Sequence, residues 1–423
     1  MYLTPGKKAV GRRNFRRAAS RGVDPRRFKL ETCVPGTMPG GPVKAGIVGV
    51  GRQGFAPLLG NCRKEFIEIC AVCDVNPDHL ARASQALLKA GGRAPREYEN
   101  WQEMAQKEKL EAVFIATPLW THAEIAVGFL ESGANVFGEK MMAYDVPGCE
   151  RMIKAARKGK RLLEIGYPRF YEPLYQTVYE NIIRSGALGD IHYVCLHTHR
   201  NNSWRWDEKP PYSGYDPSQW GYPGWEYLAN WRLYSRYSRG LVAELGSHQT
   251  SLAEWFLGST AQSVYGAGGI DCYKDGREIN DHIHMTFEHP NGCTVELSNI
   301  LSNSYGGLYE EFLGSKGTLI LSDIDGGMYF PSQDECEITT PIDRADEVAP
   351  WKADWNIAYR TEIWHFCSAI RQGTPLLCGP ERALASATVA LAGNQALATR
   401  SRVEISIPEQ SYRLSKMREN LDK

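Results

Sequence analysis

A short apolar run over residues 44–50 leads into Gly49-Val50-Gly51-Arg52-Gln53-Gly54, and a helical pattern opens at Phe55. Glycines spaced G-x-G-x-x-G between a strand and a helix constrain the fold more than any other stretch, because they form the first turn of a βαβ unit. Asp74 stands twenty residues past Gly54, at the end of the next apolar run, 67–73. In such a turn the bare backbone approaches a pyrophosphate, the helix N-terminus receives its charge, and the acid takes ribose hydroxyls. Cofactor contacts are therefore expected from Gly49, Gly51, Arg52, Gln53, Gly54 and Asp74. An acid at position 74 repels a 2′-phosphate and favours NAD over NADP, although Arg52 can still bind a phosphate.

Further short strands over 113–116, 136–138 and 162–166, with helical patterns over 77–89, 124–132 and 146–158, continue the alternation. Alternating β and α predicts a doubly wound parallel sheet. Beyond residue 168 the strands lengthen and become polar at alternate positions, as in 191–199, 282–288 and 294–301. That is the pattern of a half-exposed antiparallel sheet. The expected fold is α/β: an N-terminal Rossmann doubly wound parallel sheet, then a C-terminal α+β domain with a large, mostly antiparallel open sheet. A late helix over 381–399 is expected to return towards the first domain. The division is a basic Gly/Pro-rich arm over 1–42, a Rossmann domain over 43–168 and a substrate and oligomerisation domain over 169–423.

Forty-nine Lys and Arg balance forty-nine Asp and Glu, so no net field draws nucleic acid or an anionic membrane. A small, largely uncharged substrate suits this balance. No apolar run approaches the ~20 residues of a membrane span. Eleven cysteines, mostly inside apolar runs, read as reduced core residues of a cytoplasmic protein. Cys70 and Cys73 form a C-x-x-C, but inside a strand, and no second pair completes a zinc site. Arg12-Arg13 gives a twin-arginine-like start without the ~7–15 apolar residues of an export signal; export stays open. His197/His199 and His282/His284 each share a strand face, but the pairs lie far apart in sequence, and no metal is expected.

Two further motifs follow, Thr117-Pro118-Leu119-Trp120-Thr121-His122 and Glu139-Lys140. With the glycine turn they make the chain resemble the glucose–fructose oxidoreductase, inositol dehydrogenase and rhizopine-catabolism (Gfo/Idh/MocA) family, whose Rossmann domain carries T-P-x-x-x-H and E-K-P at corresponding places. The resemblance spans residues 43 to 400 or so. It implies that Thr117, Pro118, His122, Glu139 and Lys140 join the NAD site. Lys140 ends a parallel strand, where open α/β sheets bind ligands, and a partly desolvated lysine trades protons near neutrality. The family's proline is replaced by Met141, which leaves the aim of Lys140 open. Family members also pair an Asp with a His four residues on; here they are Glu244 and His248, on one helical face. His248 is the natural acceptor for a sugar hydroxyl proton, and Glu244 either orients it or binds a second hydroxyl. Lys140, His248 and Glu244 are the catalytic candidates.

Residues 201–231 are dense in Trp, Tyr, Gly and Pro, which suits either pyranose stacking or an oligomer interface. Substrate contacts are expected from Lys140, Arg169, Trp204, Trp231, Arg232, Glu244 and His248. The resemblance implies a homodimer or homotetramer built on the open sheet. The function expected is NAD-dependent hydride removal from a hydroxyl-bearing carbon of a sugar, glycoside or cyclic polyol. The alternative is a glycosidase or lyase that keeps its NAD and works through a transient keto-sugar and elimination. A non-catalytic NAD or sugar sensor is a third reading, against which Lys140 and His248 argue.

Overall fold

The computed structural model describes residues 36–323, 326–331, 340–341 and 352–408. Residues 1–35 of the expected arm, Arg12-Arg13 included, lie outside the described residues. The rest of that arm is packed rather than free. Met38 is buried and its N–H donates to the Glu65 carbonyl at 2.9 Å, while the Gly41 and Pro42 carbonyls accept from Arg371.

The first sheet holds β1 (Val43–Val48), β2 (Ile67–Cys73), β3 (Arg96–Tyr98), β4 (Ala112–Ile115), β5 (Asn135–Glu139) and β6 (Leu163–Gly166). All pair in parallel, in the order β3-β2-β1-β4-β5-β6. Helices α1 (Pro77–Lys89), α2 (Trp101–Lys107), α3 (His122–Ser132) and α4 (Val146–Gly159) connect them. Strand order reverses between β1 and β4, which opens a crevice at their C-terminal ends. The glycine turn after β1 and the Thr117-Pro118 turn after β4 face each other there. Asn76 caps α1, its side chain accepting from the Asp78 N–H with Pro77 in the first turn. The helix expected from Phe55 is instead one wide turn over Gly54–Leu58 and a tight one over Leu59–Asn61; Pro57 lacks the N–H that a regular turn needs.

The second sheet comprises β7 (Ile191–His199), β8 (Ser263–Gly269), β9 (His282–Glu288), β10 (Thr294–Ile300), β11 (Leu308–Gly314), β12 (Thr318–Ser322), β13 (Gly326–Phe330), β14 (Thr340–Pro341) and β15 (Val403–Glu404). Their order is β14-β13-β12-β11-β7-β10-β9-β8-β15, antiparallel except where β7 meets β10. Helices α5 (Pro173–Val178), α6 (Trp225–Ala229), α7 (Ser247–Leu257), α8 (Trp355–Gln372) and α9 (Pro380–Thr399) complete the chain. The inner face buries Val194, Leu196, Val295 and Leu297 beneath α7. On the outer face His197 stacks on His199 at 4.4 Å and on Tyr309 at 5.0 Å. Strand order also brings the two histidine pairs together, since His197 and His284 both align with Ser298. Distance in sequence did not mean distance in space. Among the described residues no group of three His, Cys, Asp or Glu could hold a metal. Burial pushes the Cys73 thiol up, the reverse of what a redox cysteine needs.

Helix α9 packs on α4, β6, α7 and β8. Through α4 and β6 it returns to the first domain, as expected, and α8 docks on the parallel sheet as well. Phe366 meets Phe114 and Phe137 at 5.7 Å each, and Arg371 pairs with Glu111 at 2.6 Å. The first layered body thus includes chain from beyond residue 352.

Two buried carboxyls make stability depend on pH. Burial raises Glu164 to about 7 and Glu254 to about 8, against a Tyr171 and a Ser386 hydroxyl that favour their charged forms. Folded protein then holds protons that the unfolded chain has released, so stability present in acid is lost as pH climbs through the folded values. We expect Glu254→Gln to flatten the fall in Tm between about pH 5 and about pH 9. A variant whose Tm falls as steeply as the parent's contradicts this.

Candidate functional site

The crevice is a cavity of about 520 Å3, lined on one side by the ends and turns of the parallel sheet and on the other by parts of the 206–232 segment with Glu244, His248 and Tyr359. At one end lies the glycine turn. Gly49 has φ +85°, and a Cβ there would come within 2.7 Å of the Ala116 carbonyl; a Cβ on Gly54 would fall 1.8 Å from the Gly49 oxygen. Gly54 therefore lets the helix close on the turn and does not itself line the cavity, whereas Gly49 and Gly51 do. Asp74 accepts from the Val50 N–H at 2.8 Å and the Asn76 N–H at 2.9 Å, with His79 at 3.3 Å. Its carboxylate ties the turn down and still faces the cavity. Thr117, Pro118 and Trp101 line the same end. A cradle of this shape, with bare backbone and one acid, fits a dinucleotide.

His122 is buried and brackets the site: its ring meets the Thr117 carbonyl at 2.9 Å and the Met141 carbonyl at 3.1 Å. It joins the turn after β4 to the turn after β5 and also lines the cavity. The Lys140–Met141 peptide is cis. Gln53 donates to Glu139 at 2.8 Å and to the Tyr359 hydroxyl of α8 at 3.1 Å. Burial raises the pKa of Glu139.

The opposite end gathers Lys140, Glu244, His248, Trp231 and Arg232. Lys140 Nζ donates to the Glu244 main-chain carbonyl at 2.7 Å and lies 3.8 Å from its carboxylate. That carboxylate also accepts from Arg232 Nε at 3.1 Å and from Ser238 at 3.3 Å. Burial acts to raise Glu244, but Lys140 and Arg232 outweigh it and hold it below the usual range. Glu244 is thus an acceptor shared by two cations and does not orient His248. The reason is local: Val242–Gly246 forms a wide π turn before α7, which alters the i,i+4 geometry expected of a regular helix. The Nδ1 of His248 is buried with no partner among the described residues. Burial, then Lys140, Arg169 and Arg200, push its pKa well below 6.5, so the ring is neutral at physiological pH. Burial also lowers Lys140.

Two expected substrate contacts lie elsewhere. Arg169 is buried against Glu310, at 2.8 Å, as an internal strut. Trp204 is buried at a left-handed turn, φ +60°, and the cavity is lined instead by Trp206, Trp220, Trp225 and Trp231.

Contacts across the cleft were not legible beforehand. Trp206 sits under the Arg52 guanidinium at 3.5 Å, and Glu208 pairs with the same group. Tyr215 donates to the Val75 carbonyl beside Asp74 at 2.7 Å, and Trp120 donates to Tyr222 at 2.9 Å. The aromatic segment is a strap over the cleft, and Arg52 is engaged by it. Tyr215 carried only composition as a signal, and Arg52 was expected at the cofactor rather than under the strap.

A family model described as an oxidoreductase family's NAD-binding Rossmann fold matches residues 43–167, and one described as its C-terminal alpha/beta domain matches 181–405. The chain is 35% identical over 150 residues to inositol 2-dehydrogenase of Salmonella typhimurium, covering 35% of this chain and 43% of that one. It is 26% identical over 211 residues to a glycosyl hydrolase family 109 protein of Shewanella woodyi, covering 48% and 43%. The chain thus spans less than half the length of these curated relatives. The solved WlbA dehydrogenase of Bordetella pertussis, in complex with NADH and UDP-GlcNAcA, superposes with a TM-score of 0.67 at 18% identity, over 87% of this chain and 100% of that one. The aldose-aldose oxidoreductase of Caulobacter crescentus gives 0.66 at 20%, over 86% and 100%. Among the described residues no helix is long and apolar enough to cross a membrane.

Proposed function

Because the chain belongs to the Gfo/Idh/MocA oxidoreductase family, with its NAD-binding Rossmann domain and C-terminal α/β domain, we propose that it removes a hydride from a hydroxyl-bearing carbon of a sugar-like substrate. The observation that carries this is one continuous cavity joining the glycine turn and Asp74 to Lys140, Glu244 and His248. NAD, when bound, accepts the hydride. The chain's own part is to place the hydroxyl and take its proton. Neutral His248 has a lone pair for that proton, and Lys140, pinned by Glu244, donates to the hydroxyl oxygen as negative charge develops. Release of NADH, followed by absorbance across a panel of sugars, glycosides and polyols, tests the proposal; no release and no hydride exchange with any of them would refute it.

Asp74 also governs cofactor choice. Asp74→Ala is expected to weaken NAD far more than NADP, since ribose hydroxyls lose an acceptor while repulsion of a 2′-phosphate disappears. Dissociation constants that shift equally would contradict this.

The strap favours a second reading, in which NAD stays bound and each turnover is redox-neutral, with bond cleavage through a transient keto-sugar. Its contacts to Arg52 and Val75 close the cofactor end. Tyr215→Phe combined with Arg52→Ala should release NADH faster than the parent in a displacement experiment. Equal release rates would leave the strap without a role in retention.

A further inference from the structure

Lys140 and Arg232 share the single carboxylate of Glu244. Arg200, at the end of β7, influences both Lys140 and His248, and its guanidinium has no hydrogen-bond or ion-pair partner among the described residues. Of the acids nearby, Glu310 is taken by Arg169, Glu139 accepts from Gln53, and Asp323 attracts Arg200 without a hydrogen bond to it. Burial and these cations keep His248 uncharged.

Arg232 has an open edge at the cavity. Its Nε is spent on Glu244, and its guanidinium lies 4.6 Å from the ring of Trp231, another cavity residue. Anchored at those two places, it is 32% exposed, and neither Nη group makes a hydrogen bond among the described residues. A guanidinium held on one edge and one face presents its other edge as a rigid fork, the geometry that matches a carboxylate. Beyond Glu244 the fork's free edge has two N–H groups to satisfy in a partly desolvated cleft, and a carboxylate meets both at once.

Resting on the reading that this cavity binds the substrate, we propose that the substrate is a sugar acid and that Arg232 holds its carboxylate. Arg200 adds a second positive charge at the same end. The expectation of an uncharged substrate, drawn from overall charge balance, gives way to the local geometry of Arg232. Net charge says little about a cleft shielded from bulk solvent.

Calorimetric titration of the NAD-loaded protein with D-glucuronate, D-glucose and glucose 6-phosphate tests this without requiring turnover. Glucuronate should bind more tightly than either. Arg232→Gln should erase its advantage over glucose, a loss of roughly 10- to 100-fold. Arg232→Lys, which keeps the charge and loses the fork, should recover part of it and guards against a misfolded glutamine variant. Equal binding of glucuronate and glucose, binding of neither, or tighter binding of the phosphate would overturn the inference. NADH release from neutral polyols would do so too while leaving hydride removal intact.

Discussion

Replacing His248 by alanine is expected to lower kcat by ~10²–10⁴, the usual loss when a general base goes, while NAD affinity stays near that of the parent. The ring lines the end of the cavity where Lys140 and Glu244 gather, and no hydrogen bond joins it to the glycine turn among the described residues. Lys140→Met should also impair turnover, but the losses should not multiply in the double variant, because groups acting on one proton behave as a unit. The pH profile separates their roles. His248 acts only when deprotonated, and its pKa lies well below 6.5, so kcat/KM should rise with pH below that value and run flat through neutrality. Removing the Lys140 charge relieves part of the depression, and the acid limb should move up towards 6.5. Full kcat in His248→Ala would transfer the base role to Lys140; an unmoved limb in Lys140→Met would mean that burial alone sets the ring's pKa.

The second large effect is on stability. Phe366 is fully buried between Phe114 and Phe137, whose own rings lie 5.2 Å apart. Phe366→Ala should cost about 3–5 kcal/mol in urea unfolding, since the three rings leave a cavity that the strands of a parallel sheet cannot collapse to fill. Because α8 also carries Tyr359 to Gln53, NAD binding should weaken in step. A loss under about 1 kcal/mol would mean that Arg371 and Glu111 hold the helix without the ring.

What was legible in the sequence is what consecutive residues decide. Gly49 to Gly54 with Asp74, the Thr117-Pro118 turn and Lys140 at a strand end were all readable, because a strand, its turn and the next helix are contiguous. Spacing also brought Glu244 and His248 to one cavity. It left their partnership open, since a π turn is not written in a four-residue spacing; Glu244 faces Lys140 and Arg232. Arg169 reads as a spare cation until Glu310, far along the chain, folds against it. Trp204 and Trp206 are alike by composition, and only the left-handed turn at Trp204 decides which one reaches the cleft. Phe366, Arg371 and Tyr359 act through contacts more than two hundred residues away, beyond any local pattern.

The strap has a consequence for how such a protein would behave in a cell. A dinucleotide that binds and leaves freely reports the prevailing ratio of oxidised to reduced nicotinamide, and its enzyme slows whenever that ratio falls. The Trp206, Glu208 and Tyr215 contacts reach over to Arg52 and Val75, so exchange would require them to part. To the extent that they part slowly relative to turnover, the bound nicotinamide is insulated from the shared pool, and the substrate alone decides whether the next hydride moves.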